Sequence, residues 1–271
     1  MRRIIVTICL MAAASGAVAA SLEADTAAAF QRYVRLTEQR INSEATKSES
    51  FLWIDTLPAN RRGELQKGLQ QGGVVIERLE TREDSKKIEA PDGLIHHWIG
   101  VVFVPKVSVK QAVALMQDYN HHSKYFAPAI AASKMLEHDG NRFKVALRFH
   151  VKKIITVTMD TDNDVEFFHP SPDRAHSRIR SSRVTEIADA GTPQERAKPA
   201  GQEHGFMWNL NTYWRFLERD GGTYIQCESL TLSRDVPFAL AWIIRPIVTQ
   251  MPKESLTFTM GKAREALVNL H

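Results

Sequence analysis

Cysteine is nearly absent. The chain has two in 271 residues, and the first, Cys9, sits in an N-terminal segment outside the fold. The other, Cys227, has no mate, so no internal disulfide can form and its thiol reads as a small buried apolar side chain. Signature motifs are missing too. There is no G-x-S-x-G, no H-E-x-x-H, no glycine-rich phosphate loop and no C-x-x-C, which removes the nucleophile elbow, the helical zinc site, the nucleotide cradle and the redox pair. No basic stripe interleaved with aromatics occurs, so nucleic acid is not an expected partner. Internal repeats and low-complexity tracts are also lacking.

Long hydrophobic runs are scarce. The run 4–14 is too short to span a bilayer. It follows Arg2 and Arg3 and precedes the small-x-small site Ala17-Val18-Ala19. That is the pattern of a secretory signal peptide over 1–20, with the mature chain starting at Ala20 or Ser21 and a periplasmic or secreted location expected. The segment carries two arginines and no acid, so the net charge of +4 becomes +2 without it.

What is there is organised by 206–270. FMWNLNTYWRFLE and TYIQCESLTLS read as two strands joined at Arg219-Asp220-Gly221-Gly222, where either Asp220-Gly221 or Gly221-Gly222 supplies the positive φ of a two-residue loop. Trp214, Phe216, Ile225 and Cys227 fall on one face. Tyr213, Arg215, Gln226 and Glu228 fall on the other. A loop centred on Gly221-Gly222 would set Arg215 opposite Glu228, a surface ion pair worth about 0–1 kcal/mol. The C-terminal helix must cover the apolar face. Its stripe is Leu256, Met260, Ala263, Leu267 and Leu270, it starts near Pro252, and the apolar segment 238–248 before it is broken at Pro246.

Earlier in the chain, 21–45 reads as a helix with Phe30, Tyr33, Val34, Thr37 and Ile41 on one face and a cap at Asp25-Thr26. A short helix from Pro58 carries Leu65 and Leu69 and stops at Gly72-Gly73. Strands are expected at 74–79 and 94–104, helices at 107–119 and 122–127, and strands at 133–137 and 142–150. The last alternates Phe143, Val145, Leu147 and Phe149 with polar residues, as a half-buried strand does. Val157 and Met159 alternate with threonines in the next strand, 174–184 follows, and 188–204 reads as a long loop.

This order resembles the helix-grip fold of the SRPBCC superfamily, which includes START-type lipid-transfer and polyketide cyclase/dehydratase-like proteins. The stretches FVPKVSVKQAVALMQDYNHHSKYFAPAI, WRFLERDGGTYIQCESLTLS and DVPFALAWIIRPIVTQMPKESLTFTMGKAREAL carry the resemblance, over about 94–271. It implies an α+β chain, with a curved antiparallel sheet wrapped around a long C-terminal helix. The implied divisions are the signal peptide 1–20, a helical extension 21–72 and the START-like domain 73–271. It also implies an apolar cavity. Phe143, Val145, Leu147, Phe149, Val157 and Met159 would line it from the middle strands. Trp208, Leu210, Trp214, Phe216, Ile225 and Cys227 would line it from the hairpin, and Met260 with Ala263 from the helix.

Other constellations carry less. Asp118, His121 and His122 have helical spacing, but the helix ends beside them and a metal site needs three or four ligands, so no metal is expected. His96 and His97 are adjacent on a strand and point to opposite faces. His176, Arg178, Arg180 and Arg183 form a basic row suited to solvent, to docking of the N-terminal helices or to an anionic group. Trp242 and Arg245 suit a membrane interface at 238–248. The function expected is binding of a hydrophobic small molecule or lipid, without catalytic residues or cofactors. Second and third readings are a cyclase/dehydratase- or hydrolase-type enzyme using the same cavity, and a protein-interaction module.

Overall fold

The computed structural model describes residues 22–152, 156–199, 201–235 and 241–269, without the side chains of 241–249. The signal peptide and the side chains of 238–248, Trp242 and Arg245 among them, lie outside the described residues.

Helix α1 (Ala24–Ala45) buries the face expected of it: Phe30, Tyr33, Val34, Thr37 and Ile41. Its cap is Glu23, not the Asp25-Thr26 pair; Thr26 is buried and donates to the Pro91 carbonyl. Helix α2 (Ala59–Gln70) follows, then β1 (Val74–Arg78), the small hairpin β2 (Arg82–Glu83) and β3 (Lys86–Lys87), and β4 (Gly93–Pro105). Two short helices, α3 (Val109–Gln117) and α4 (His122–Tyr125), lead to β5 (Ile130–Asp139), β6 (Arg142–Lys152), β7 (Thr156–Ser171) and β8 (Arg174–Ala188). The chain closes with β9 (Arg196–Ala197), β10 (Asn209–Arg219), β11 (Gly222–Arg234) and α5 (Ala241–Val268).

One antiparallel sheet has the order β1-β4-β11-β10-β8-β7-β6-β5, with β9 beside β8. The α3–α4 segment therefore carries the chain from β4 to the far edge, and the strands return from there to β4. Trp214 pairs with Cys227 and Phe216 with Ile225, as the alternation requires. The hairpin loop, however, is Asp220-Gly221, with φ of 59° and 76°. Two successive positive φ values match the strand twist. Gly222 belongs instead to β11, where a Cβ would stand 2.3 Å from the Val104 carbonyl of the neighbouring strand. Arg215 consequently faces Gln226, and Tyr213 faces Glu228.

The inner face of the sheet is covered by α5, which contacts β4, β1 and β11, and by α3, which contacts β8, β10 and β11. Leu256, Met260, Ala263 and Leu267 are buried there. Gly100 lets α5 approach, since a Cβ would meet Met260 Cγ at 2.8 Å. The helix runs unbroken through Pro246 and Pro252, against the expected break and fresh start. Each proline forfeits one backbone bond and crowds one carbonyl; packing of the Leu256–Leu267 stripe on the sheet holds the remainder.

The outer face of the central strands is covered as well. Phe30, Tyr33, Val34 and Ile41 of α1 pack with Tyr213, Leu230 and Leu232. Phe51, Leu52, Ile54 and Leu69 pack with Val101, Phe103, Leu217 and Tyr224. The whole is a START-like helix-grip arrangement, a large antiparallel sheet with its long C-terminal helix, carrying a further helical layer on its back.

Candidate binding site on the inner face

The alternation of the strands decides the lining. Phe143, Val145, Trp214, Phe216, Ile225, Cys227, Met260 and Ala263 are buried in one apolar cluster with α3. Leu147 is half-buried against it. Phe149 and Leu210 are half-buried, while Val157 and Met159 are buried. Trp208 is a correction: it lies just before β10 and packs against the α1 cluster on the outer side. The extended pattern begins at Asn209, so counting alternation back to 208 crosses the strand end and assigns the wrong face.

Polar groups are set into this apolar surface. Asn163 and Thr161 on β7 are buried and satisfy each other, Asn163 Nδ2 donating to Thr161 Oγ1 at 2.9 Å and to the Val145 carbonyl at 3.2 Å. His96 Nε2 lies 2.9 Å from Ser233 Oγ, and burial, helped by the nearby Arg78 charge, pulls the His96 pKa down to about 4. Glu186 accepts from the backbone N–H groups of His204, Gly205 and Phe206 and from Lys198. Burial works to raise its pKa, but those donors outweigh it and hold it below the ordinary value.

Among the described residues, five buried side-chain polar atoms have no hydrogen-bond partner: Arg219 Nε and one Glu228 oxygen elsewhere, and, toward the inner face, Tyr119 Oη, His122 Nε2 and Ser177 Oγ. Ser177 stands on β8 directly between Phe167 on β7 and Trp214 on β10. Tyr119 comes from the turn joining α3 to α4 and His122 is the first residue of α4, their ring centroids 4.8 Å apart. Tyr119 also meets Phe143 edge-on at 5.5 Å. A buried polar atom without a partner costs about 1–3 kcal/mol, so native interiors hold few of them. None of the three was singled out as a ligand contact from the sequence. The available signal was a small polar residue, Ser177, alternating with Ala175 and Ile179 at inward positions.

The outer face holds polar side chains of a different kind. Arg215 and Glu228 are fully buried, not the surface pair expected. Arg215 donates to the carbonyls of Phe51 at 2.6 Å and Ile41 at 3.0 Å, and to Glu44 at 2.9 Å. Glu228 receives Arg40 of α1 and, at 2.7 Å, His97 Nε2. The amide of Thr81 donates to Tyr33 Oη, which reaches His97 Nδ1 at 2.8 Å. Burial alone would raise the Glu228 pKa; the His97 hydrogen bond and the Arg40 and Arg215 charges hold it below the ordinary carboxylate value. The second Glu228 oxygen is unpaired, yet each of these side chains is tied to α1 or its flanks through another atom. His96 and His97 do point to opposite faces.

Asp118 is engaged by His121 at 2.7 Å and Tyr125 at 2.6 Å, and His122 turns into the core, so the three do not converge on one point. In the basic row, Arg180 pairs with Glu38 of α1, Arg178 with Glu166 at 2.8 Å and Arg183 with Asp162 at 2.7 Å. An open groove of about 370 Å³ lies near the β5–β6 turn, walled by Glu137, Arg142, Lys144, Asp164, Glu166 and Arg178. Phe143 and Val165 also line it. No helix among the described residues is long and apolar enough to cross a membrane.

No protein-family model matches the chain, and no curated protein matches it in sequence. Among solved structures it is similar to a protein of Thermus thermophilus at 13% identity, covering 66% of this chain and 98% of that one with a TM-score of 0.46. It is similar to a fragment of a STAR-related lipid transfer protein from Xanthomonas axonopodis at 14% identity, covering 71% and 98% with a TM-score of 0.43. An aromatase/cyclase from a Streptomyces species matches at 13% identity, covering 64% and 94% with a TM-score of 0.45.

Proposed function

We propose that the protein binds a hydrophobic small molecule or lipid between the inner face of the sheet and α5, without transforming it. The observation that supports this is three buried polar atoms without a hydrogen-bond partner, Tyr119 Oη, His122 Nε2 and Ser177 Oγ, beside a large apolar cluster. A core selected for stability alone gains nothing from them, whereas a ligand site needs a few polar groups to fix orientation. Transfer of apolar ligand surface from water, worth about 25 cal/mol per Å², would supply the affinity. Native mass spectrometry of the purified protein, with extraction of what it carries, tests the reading. A bound apolar molecule is expected; a protein that arrives empty and takes up no lipid or hydrophobic probe contradicts it.

The reading includes export after removal of 1–20. N-terminal sequencing of the exported chain should return Ala20 or Ser21, and Met1 would overturn it. It also includes loading from a membrane surface through 238–248. Trp242→Ala with Arg245→Glu should lower liposome binding while leaving thermal stability unchanged; undiminished binding places loading elsewhere.

One observation favours a second reading, a hydrolase. His96 and Ser233 have the contact of a base with a nucleophile. Ser233→Ala would abolish hydrolysis of an apolar ester if that reading holds and would leave ligand uptake intact if it does not.

A further inference from the structure

Asp118, His121 and Tyr125 stand outside the inner face, and ligand binding there leaves them unused. Helix α3 and its C-cap set Gln111, Ala114, Leu115 and Asp118 at spacings of three and four residues, so they share one stripe. The turn after α3 brings Tyr125 of α4 back to that stripe, its Oη donating to Asp118 Oδ2 at 2.6 Å. These five residues line an open pocket of about 240 Å³. Leu115 is buried, Ala114 is exposed, and Tyr125 is half-buried against the core.

The lining carries one charge, and it is poorly neutralised. The ionic partner of Asp118 is His121, at 2.7 Å, and a histidine is charged only when protonated. Among the described residues, no lysine or arginine pairs with this carboxylate. Asp118 is also the C-cap of α3, whose last turn has no basic residue. The negative end of a helix disfavours a carboxylate and favours a cation. Nor does the carboxylate cap the turn that follows, where its side chain makes no capping bond. Each of its oxygens takes one hydrogen bond, from the imidazole or the phenol, and keeps a further lone pair.

Few groups complement such a lining. A carboxylate or phosphate is repelled by Asp118. An alcohol finds an acceptor but leaves the charge unneutralised. A metal ion needs several ligands where the pocket offers one carboxylate. An organic cation is attracted by Asp118, gains from an aromatic ring beside it, and covers Ala114 and Leu115 with its carbon atoms.

We propose that this pocket is a site for a small organic cation, an alkylammonium or quaternary ammonium group, held by Asp118 beside Tyr125. Its volume lies below the about 300–1,000 Å³ of pockets that take drug-sized ligands, so it accepts a head group and not a whole lipid. It stands apart from the inner face and does not rest on what that face binds.

The test uses choline and 3,3-dimethyl-1-butanol, which has the same shape without the charge. Each is titrated at pH 8 and constant ionic strength into the purified protein and into the Asp118→Asn, Tyr125→Leu and Tyr125→Phe variants, with amide NMR shifts as the readout. Choline should move the amides of Ala114, Leu115 and Tyr125 and bind about tenfold more tightly than the alcohol, the effect of one charge near a protein surface. Asp118→Asn keeps the shape of the side chain and should bring the two probes level. Tyr125→Leu should weaken choline about three- to fivefold, the worth of an exposed cation–π contact, whereas Tyr125→Phe keeps the ring and should bind it nearly as the parent does. Cosedimentation with phosphatidylcholine vesicles that free choline reverses would assign the cation to a lipid head group, and its absence to a free molecule. If excess choline moves none of these amides, binds no better than the alcohol, or keeps its preference in Asp118→Asn, the proposal is overturned.

Discussion

The two faces of this sheet bury polar side chains to opposite ends. On the outer face, Arg215, Glu228, His97 and Tyr213 are each tied to the N-terminal segment or its helix α1. On the inner face, Tyr119 and Ser177 touch no partner, and His122 leaves one nitrogen bare. The first pattern is a fastening: the polar atoms are satisfied by elements far away in sequence, and their removal should loosen the fold. The second is a vacancy in the hydrogen-bond ledger that the chain does not fill itself. The difference teaches that buried polarity is read by its partners, not by its depth.

The largest effect should come from the outer face. Glu228→Ala leaves Arg40, Arg215 and His97 around a missing carboxylate, and breaking such a buried group should cost about 3–5 kcal/mol in urea unfolding. A loss below about 1 kcal/mol would mean that the pair behaves like an exposed one and that α1 is not fastened there.

Acid should have the next largest effect. His96 and His122 have folded pKa values of about 4 against an unfolded 6.5. The unfolded chain thus binds their protons more readily, so their contribution is fully present above pH 6.5 and is lost as the pH falls toward 4. Each is worth roughly 3 kcal/mol over that window. Glu228 is held below its ordinary 4.5, so its contribution is lost only at still lower pH. Burial pulls the outer-face His176 down to about 4 as well, so stability should decline between pH 6.5 and 4.5 through both faces, and His122→Phe should remove only its own share of that slope. An unchanged slope in the variant would remove His122 from the account.

A small effect is expected where the sheet's outer face is bare. Arg183 pairs with Asp162 at the surface with more than half of its side chain exposed. Arg183→Ala should shift the unfolding free energy by less than about 0.5 kcal/mol, and a larger change would show that the uncovered half of the face is fastened too.

Much of this was legible in the sequence. The period-2 patterns of 142–150 and of the hairpin set the inner face, and the stripe from Phe30 to Ile41 set the buried side of α1, because one-sided apolar patterning fixes which way an element turns. What the stripe does not state is where it docks. A polar strand face says only that it is not the apolar core; Arg215 and Glu228 became buried because α1 brought its own charges. Tyr33, Thr37, Arg40 and Glu44, following one another at helical spacing, were the clue, and they needed partners at least 44 residues away to acquire meaning. The sequence left the hairpin loop open between Asp220-Gly221 and Gly221-Gly222 for a related reason: the crowding of Gly222 by β4 is a tertiary fact. The unpaired state of Tyr119 and His122 lies further still from the sequence, since it depends on every neighbour that fails to reach them.

The most direct test makes one chemical change on both faces. Tyr213 and Tyr119 are each 3% exposed; the first donates to Glu38 at 2.8 Å, and the second donates to nothing. Tyr213→Phe and Tyr119→Phe each delete one buried phenolic oxygen, and the quantity to compare is their unfolding free energy in urea, measured on protein freed of any bound ligand. The account predicts a loss of about 1.5–3 kcal/mol for Tyr213→Phe, a bond to a charged group, and no loss or a gain for Tyr119→Phe. Equal losses from the two would contradict it, because Tyr119 would then be bonded within the fold and the inner face would hold no vacancy for a ligand.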